Sequence, residues 1–295
     1  MKLVYNEDQE KQKNIESHII LEEDNIKKAG KAQRAKLKGK PFKEKAEYFV
    51  EYYKYPVIAI LIGAIIIYSV IASIAANKDY CFSAMMVNSV MIDSESVSQS
   101  FAEYSEFDTE KYTCYVDCGA MMSITGFGES DLATSTKFVA MIQSQDLDVV
   151  TMDSTNFYTQ SLGESMIDLT TVLSKEDLEK HKDRLYYIDY KDIEKKDQNL
   201  GEPSGSLYNQ VDTFEEIRED LEIHRHPENM EKPILVGIII EDSPLITKTQ
   251  SYSGLIPVFG IIGNSPRIEN AVNFLHYIYD DSVDFSSLVA TVVNN

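Results

Sequence analysis

The sequence predicts an α/β protein on a membrane anchor: a single transmembrane helix followed by an extracytoplasmic domain with a mostly parallel sheet. Three observations carry that expectation. No charge interrupts "YPVIAILIGAIIIYSVIASIAAN", residues 55 to 77. Lys and Arg gather on the N-terminal side of this run. Beyond it, short apolar segments of strand character alternate with segments of helical period, the pattern of strands joined by crossover helices.

The anchor comes first. At 1.5 Å per residue, about 20 apolar residues span the roughly 30 Å hydrocarbon core of a bilayer. A buried helix of a soluble core would carry a polar stripe, and Val57 to Ala76 carries none. A cleaved signal peptide is the rival reading, with "SIAAN" as its small-residue site. The apolar run is too long for a signal's hydrophobic region, and the preceding segment is too long for its charged one. Between Lys27 and Lys45 stand nine basic residues and a single acid, Glu44, whereas only Lys78 follows the span directly. The positive-inside rule then places the N-terminus in the cytoplasm and the C-terminal part outside, with Tyr48, Tyr52, Tyr53 and Tyr55 as an inner aromatic belt.

Four regions follow. Residues 1 to 40 form a polar, basic cytoplasmic tail, in which "IESHIILEEDNIKK" has the period of a short helix that a cytoplasmic partner could dock on. Residues 41 to 55 predict an amphipathic interfacial helix: Pro41 suits a first turn, and Phe42, Ala46, Phe49 and Tyr53 recur on one side. The Lys-rich run up to Lys45 would be drawn to anionic lipids of the inner leaflet. Residues 56 to 76 are the transmembrane helix, with a bend expected at Pro56. Residues 77 to 295 are the extracytoplasmic α/β domain.

The net charge of −20 divides unevenly: 13 basic and 10 acidic residues up to Tyr55, then 15 and 38, a balance of +3 against −23. So acidic an outer part excludes nucleic acid as a partner, since phosphates require Lys and Arg. In the domain, "YCFSAMMVN" reads as a strand, and "SESVSQSFAEYSEF" as a helix with Val97, Phe101 and Tyr104 on one face. "KYTCYVD" is a second strand. "DLATSTKFVAMIQSQ" is a helix capped by Asp131, with Leu132, Phe138, Val139 and Ile142 forming its apolar face. "DVVTM" is a third strand and "NFYTQSLG" resumes helix. Cys81, Cys114 and Cys118 are an odd set. Cys114 and Cys118 are four apart on a strand, about 13 Å, too far for a disulfide. A pairing of Cys81 with either remains open if their strands are neighbours, beside the reading of all three as buried thiols.

"SQDLDVVTMDSTNFYTQSLGESMIDLTTVLSKEDLEKHKD" resembles the first lobe of type 2, maltose-binding-like extracellular solute-binding proteins: a short strand, a helix, a Gly turn, then a hydrophobic-Asp-Leu-Thr step. Asp148, Val149, Val150, Leu162, Gly163, Ile167, Asp168, Leu169 and Thr170 carry the match. "PVFGIIGNSPRIENAVNFLHYIY" resembles the family's returning strand and following helix through Gly260, Ile261, Asn264, Ser265, Glu269, Ala271, Phe274 and Leu275. Between Asp189 and Pro233 the chain is short and mostly charged, so the second lobe of the family is expected to be reduced or absent. There is no Trp for sugar stacking, although 18 Tyr are present.

No nucleophile elbow, phosphate loop or zinc motif is present, so no enzyme and no cofactor is expected. "GFGES" reads as a turn, "YDDSVD" lacks a regular calcium loop, and His224 and His226 in "EIHRHPE" would face one metal only if extended. For an open sheet, a small ligand is expected at the C-terminal strand ends. That selects Asn88 and Ser89, Asp117, and Asp153, Ser154 and Thr155, although helix capping accounts for Asp153 or Ser154 equally well. The resemblance implies a non-enzymatic binding or accessory component beside transporter membrane subunits or another membrane protein. The alternatives are a genuine solute receptor for an ABC importer and a transmembrane sensor or scaffold.

Overall fold

The structure is a computed structural model, and it describes residues 28, 39, 41–76, 78–123, 129–198 and 214–290. The tail helix expected around Ile15, and most of the "GFGES" turn, lie outside the described residues. Contacts divide the chain into two units, residues 1–77 and 78–295.

The first unit contains helix α1, Phe42–Ala76. Within it, Lys54–Ala72 has a mean hydropathy of 2.4 and no buried share, so this helix is long and apolar enough to cross a membrane. The division expected between an interfacial and a spanning helix is not a boundary of secondary structure. Helix runs unbroken through Pro56. Proline removes one backbone donor, and the rest of the ladder continues on both sides.

The second unit is an α/β fold on a six-stranded sheet of order β2-β1-β3-β6-β5-β4. The strands are β1 Tyr80–Met86, β2 Thr113–Asp117, β3 Val149–Asp153, β4 Leu185–Asp189, β5 Pro233–Ile239 and β6 Pro257–Ile261. β1 pairs in parallel with both β2 and β3, while the β3–β6, β5–β6 and β4–β5 pairings are antiparallel. The mostly parallel expectation is therefore corrected to a mixed sheet. Two strands unread in the sequence, β4 and β5, make up the antiparallel half together with β6.

Alternation sorts the strands into two faces. Phe82, Ala84 and Met86 of β1 join one buried cluster, and Met85 and Val87 the other. On the first face lie α2 (Ser94–Tyr104), α8 (Pro244–Thr249) and α9 (Ile268–Ile278), which contribute Val97, Phe101, Leu245, Phe274 and Tyr277. Phe101 packs edge-on against Phe82 and Phe274, at centroid distances of 4.6 and 4.9 Å. On the second face lie α3 (Glu129–Gln143), α4 (Ser154–Ser161), α6 (Tyr190–Gln198) and α7 (Phe214–Ile223), with Phe138, Phe157, Ile193 and Leu221 inward.

Two local expectations change. Residue 131 falls within α3 and not before it, and the exposed side of α3 carries Leu132 and Val139, while Phe138 faces the core. The Asp-Leu-Thr step forms as read: Asp168 accepts from the Thr170 amide at 2.9 Å, Leu169 is buried, and Ser174 caps α5 (Lys175–Lys180). Gly237 and Gly260 sit side by side beneath the Phe157 ring, where an added Cβ would lie within 2.7–2.9 Å of ring carbons or of Val258. Only glycine admits the ring this close to the sheet.

Candidate functional site

Of the strand-end residues selected from the sequence, Asn88 and Asp153 come together, bonded to each other and to the main chain. Asn88 follows β1 in the left-handed region, with φ at 63°, a conformation asparagine tolerates. Its amide donates to the Met122 carbonyl at 2.7 Å and to Asp153 Oδ2 at 2.8 Å, and its side-chain oxygen accepts from the Met122 amide at 2.8 Å. Asp153, at the end of β3, caps α4 by accepting from the Asn156 backbone at 3.1 Å. The Asn156 side chain donates to Asp153 Oδ2 at 2.8 Å and to the Met122 carbonyl at 3.2 Å. The segment after β2 thus crosses the strand ends and occupies the bonding positions that a ligand would use.

The side chains of Ser89 and Asp117 bond elsewhere, and Ser154 and Thr155 bond through the main chain. The Ser89 hydroxyl donates to the carbonyls of Met86 and Cys118, each at 2.9 Å. Asp117 pairs with Lys137 of α3 at 2.6 Å and accepts from the Gly119 amide at 2.9 Å. Ser154 is buried, with its amide on the Ile256 carbonyl, and Thr155 supplies a carbonyl to the Thr159 hydroxyl. Sequence reading missed Asn156 and Met122. The Asp-x-x-Asn spacing of a helix cap could have flagged Asn156, whereas Met122 acts through its main chain, which leaves no trace in residue identity.

A second polar centre lies at the opening of β3. Asp148 is wholly buried and accepts from the Ser83 amide at 2.8 Å and from Arg267 Nε at 2.9 Å, with the Ser265 hydroxyl at 2.5 Å. Arg267 also donates to the Gln145 carbonyl. The Ser83 bond joins β1 to the residue before β3, and the Ser265 and Arg267 bonds tie the approach to α9 to the same carboxylate, so the centre holds the fold together.

The histidines divide. His224 is buried, its Nδ1 2.8 Å from the Tyr187 carbonyl and its ring stacked on Tyr186 at 4.4 Å, and burial pushes its pKa down. His226 is exposed beside Glu228 and Glu222, so the two rings do not face a common point. Among the described residues no group of three or more His, Cys, Asp or Glu is arranged to hold a metal. Asp280 of "YDDSVD" accepts from the Ser282 amide in an exposed turn. His181, not singled out in the sequence, is buried with neither ring nitrogen bonded. Burial, then Lys180 and Arg184, lowers its pKa to about 4.

One open groove, of about 590 Å³, lies on the β2 flank. Lys78, Glu95, Glu103, Glu106, Tyr112 and Cys114 are among its lining residues. Lys78 reaches the Thr109 carbonyl at 2.7 Å, and Glu103 accepts from Gln99 at 3.0 Å.

Compared with known proteins, the chain matches no family model, no curated protein and no solved structure.

Proposed function

We propose that this chain is a membrane-anchored extracytoplasmic binding or accessory protein of solute-binding-protein type. Its N-terminus lies in the cytoplasm and residues 77 to 295 lie outside, beside transporter membrane subunits or another membrane protein. The observation that carries this reading is the pairing of one apolar, unburied helix with an α/β unit in which Asn88 and Asp153, at the ends of β1 and β3, are bonded to each other, to Asn156 and to the Met122 main chain. Groups so satisfied offer little to a small molecule, which favours a protein partner. The returning strand expected from the resemblance, β6, pairs with β3 in the middle of the sheet, and α9 follows it. That supports kinship with a solute-binding lobe.

A genuine solute receptor is the second reading, and the open groove on the β2 flank is the feature that favours it. Two experiments test the proposal. Reporter fusions after Lys40 and after Asn295 should give cytoplasmic and extracytoplasmic signals; the reverse pair rejects the orientation. Affinity purification of the full chain in mild detergent should recover transporter or other membrane subunits in stoichiometric amount. Recovery of the chain alone would move the reading to a free-standing sensor, and solute binding blocked by Glu103→Ala would move it to a receptor.

A further inference from the structure

The odd set of three cysteines left two pairings open, and the sheet distinguishes them. β1 and β2 are parallel neighbours with Tyr80 opposite Thr113 and Phe82 opposite Cys114. β1 takes two steps where β2 takes one, so Cys81 is the extra residue of a bulge facing the Thr113–Cys114 step. Strands lie about 4.8 Å apart and residues about 3.3 Å apart along them, which puts the two Cα atoms roughly 5–6 Å from each other, inside the range a disulfide bridges. The two thiols are near enough for Cys81 to help raise the pKa of Cys114, and both residues are half-buried.

Cys118 stands apart. It lies just past the end of β2, buried, with its sulfur 3.8 Å from the Met86 sulfur. It is buried and does not line the open groove, so a solvent-borne oxidant does not reach it; burial raises its thiol pKa as it does that of Cys114, so position and not acidity separates the two.

We propose that Cys81 and Cys114 are a redox pair that closes into a disulfide between β1 and β2, with Cys118 remaining a free thiol. Cys114 lines the open groove, so an oxidant of the small disulfide class reaches it from solvent. Its thiolate attacks one sulfur of glutathione disulfide, forming a mixed disulfide and releasing one glutathione thiolate. The Cys81 thiolate then attacks the Cys114 sulfur, forming the protein S–S bond and releasing the second glutathione. Two protein thiols lose two protons and two electrons, and one glutathione disulfide becomes two glutathione thiols. Burial raises both thiols above their ordinary pKa, which keeps the thiolate fraction low and makes the closure slow. Its occurrence in the cell depends on the outward placement proposed above, whereas the pairing itself is a property of the sheet and is tested separately.

The test uses the reduced full-length chain in detergent, equilibrated for hours at mildly alkaline pH with glutathione disulfide, then alkylated under denaturation and digested. The expected result is a loss of two hydrogens in mass, one alkylated cysteine (Cys118), and a reducible peptide joining Cys81 to Cys114. Closing a loop of roughly 30 residues should raise the midpoint of thermal unfolding by up to about 10 °C, reversed by dithiothreitol. Cys81→Ser should stop at the mixed disulfide on Cys114. Three alkylated cysteines, or a stable mixed disulfide on wild-type Cys114 beside a free Cys81, would overturn the pairing. Because the wild-type peptide map decides the matter, a misfolded variant does not.

Discussion

Replacing Asn88 with glycine tests whether the strand ends are a closed latch or a vacant binding site. Glycine is the informative choice because residue 88 has φ at 63°: glycine keeps that backbone without strain, while alanine would add about 1 kcal/mol for the left-handed conformation. The substitution removes three bonds. The buried Met122 amide loses its acceptor, which costs about 1–3 kcal/mol. Asp153 Oδ2 loses one amide donor but keeps Asn156, and the Met122 carbonyl also keeps Asn156. The lost bond to a carboxylate is worth about 1.5–3 kcal/mol at most, and the two costs overlap because they belong to one network. A destabilisation of about 3 kcal/mol is expected. Urea unfolding of the full chain in detergent, followed by tyrosine fluorescence, measures it. A loss below about 0.5 kcal/mol with the circular dichroism unchanged would mean that these groups are hydrated in the folded protein, and the argument for a closed site would fail.

Four further outcomes follow from the same structure. Gly260→Ala places a Cβ 2.7 Å from the Phe157 ring and should cost about 1–3 kcal/mol, part of it restored by adding Phe157→Leu in a double-mutant cycle. Arg267→Met leaves the carboxylate of Asp148 buried without its guanidinium and should cost about 3–5 kcal/mol in the same urea assay; a loss under 1 kcal/mol would show that the pair is not what seats α9. Lys137→Ala should change stability by no more than about 1 kcal/mol, because the lysine side chain is 43% exposed where it meets Asp117. His181 sets a pH dependence. Its pKa falls from 6.5 in the unfolded chain to about 4 in the fold, so its contribution is complete above pH 6.5 and is lost as pH falls to about 4. The loss is at most about 3 kcal/mol, and nearer half that with solvent screening beside Lys180 and Arg184. His181→Leu should flatten that part of the stability–pH curve, and an unchanged slope would refute the assignment.

Several elements were legible because local pattern and burial agree. Val97, Phe101 and Tyr104 lie three and four residues apart, and α2 does turn Val97 and Phe101 inward. The alternation in "YCFSAMM" divides β1 between two cores, and the apolar run "VVTM" becomes the fully buried β3. Other features were not legible because tertiary neighbours decided them. Leu132 and Val139 have the composition of a buried face, yet α3 is turned by Thr134, Phe138 and Met141, and Lys137 reaches across to Asp117. β4 buries alternate residues, but "LYYID" has no matching alternation of apolar and polar types, and β5 supplies its ladder at the sheet edge.

The candidate site divides along the same line. The rule for open sheets selected Asn88 and Asp153 from strand order alone, and the structure brings them within 2.8 Å. That the space between them is taken by the Met122 main chain depends on where the segment after β2 returns, and no side-chain pattern encodes that. The sequence by itself determined the apolar helix, the charge asymmetry around it and the α/β alternation, because these depend on hydropathy and on periods of 3.6 and 2 within a few turns of chain. Only the tertiary structure decided the antiparallel half of the sheet, the saturation of its strand ends and the neighbour of Cys81. Each of these is a pairing between segments far apart in sequence, and its register is set by which core faces close together.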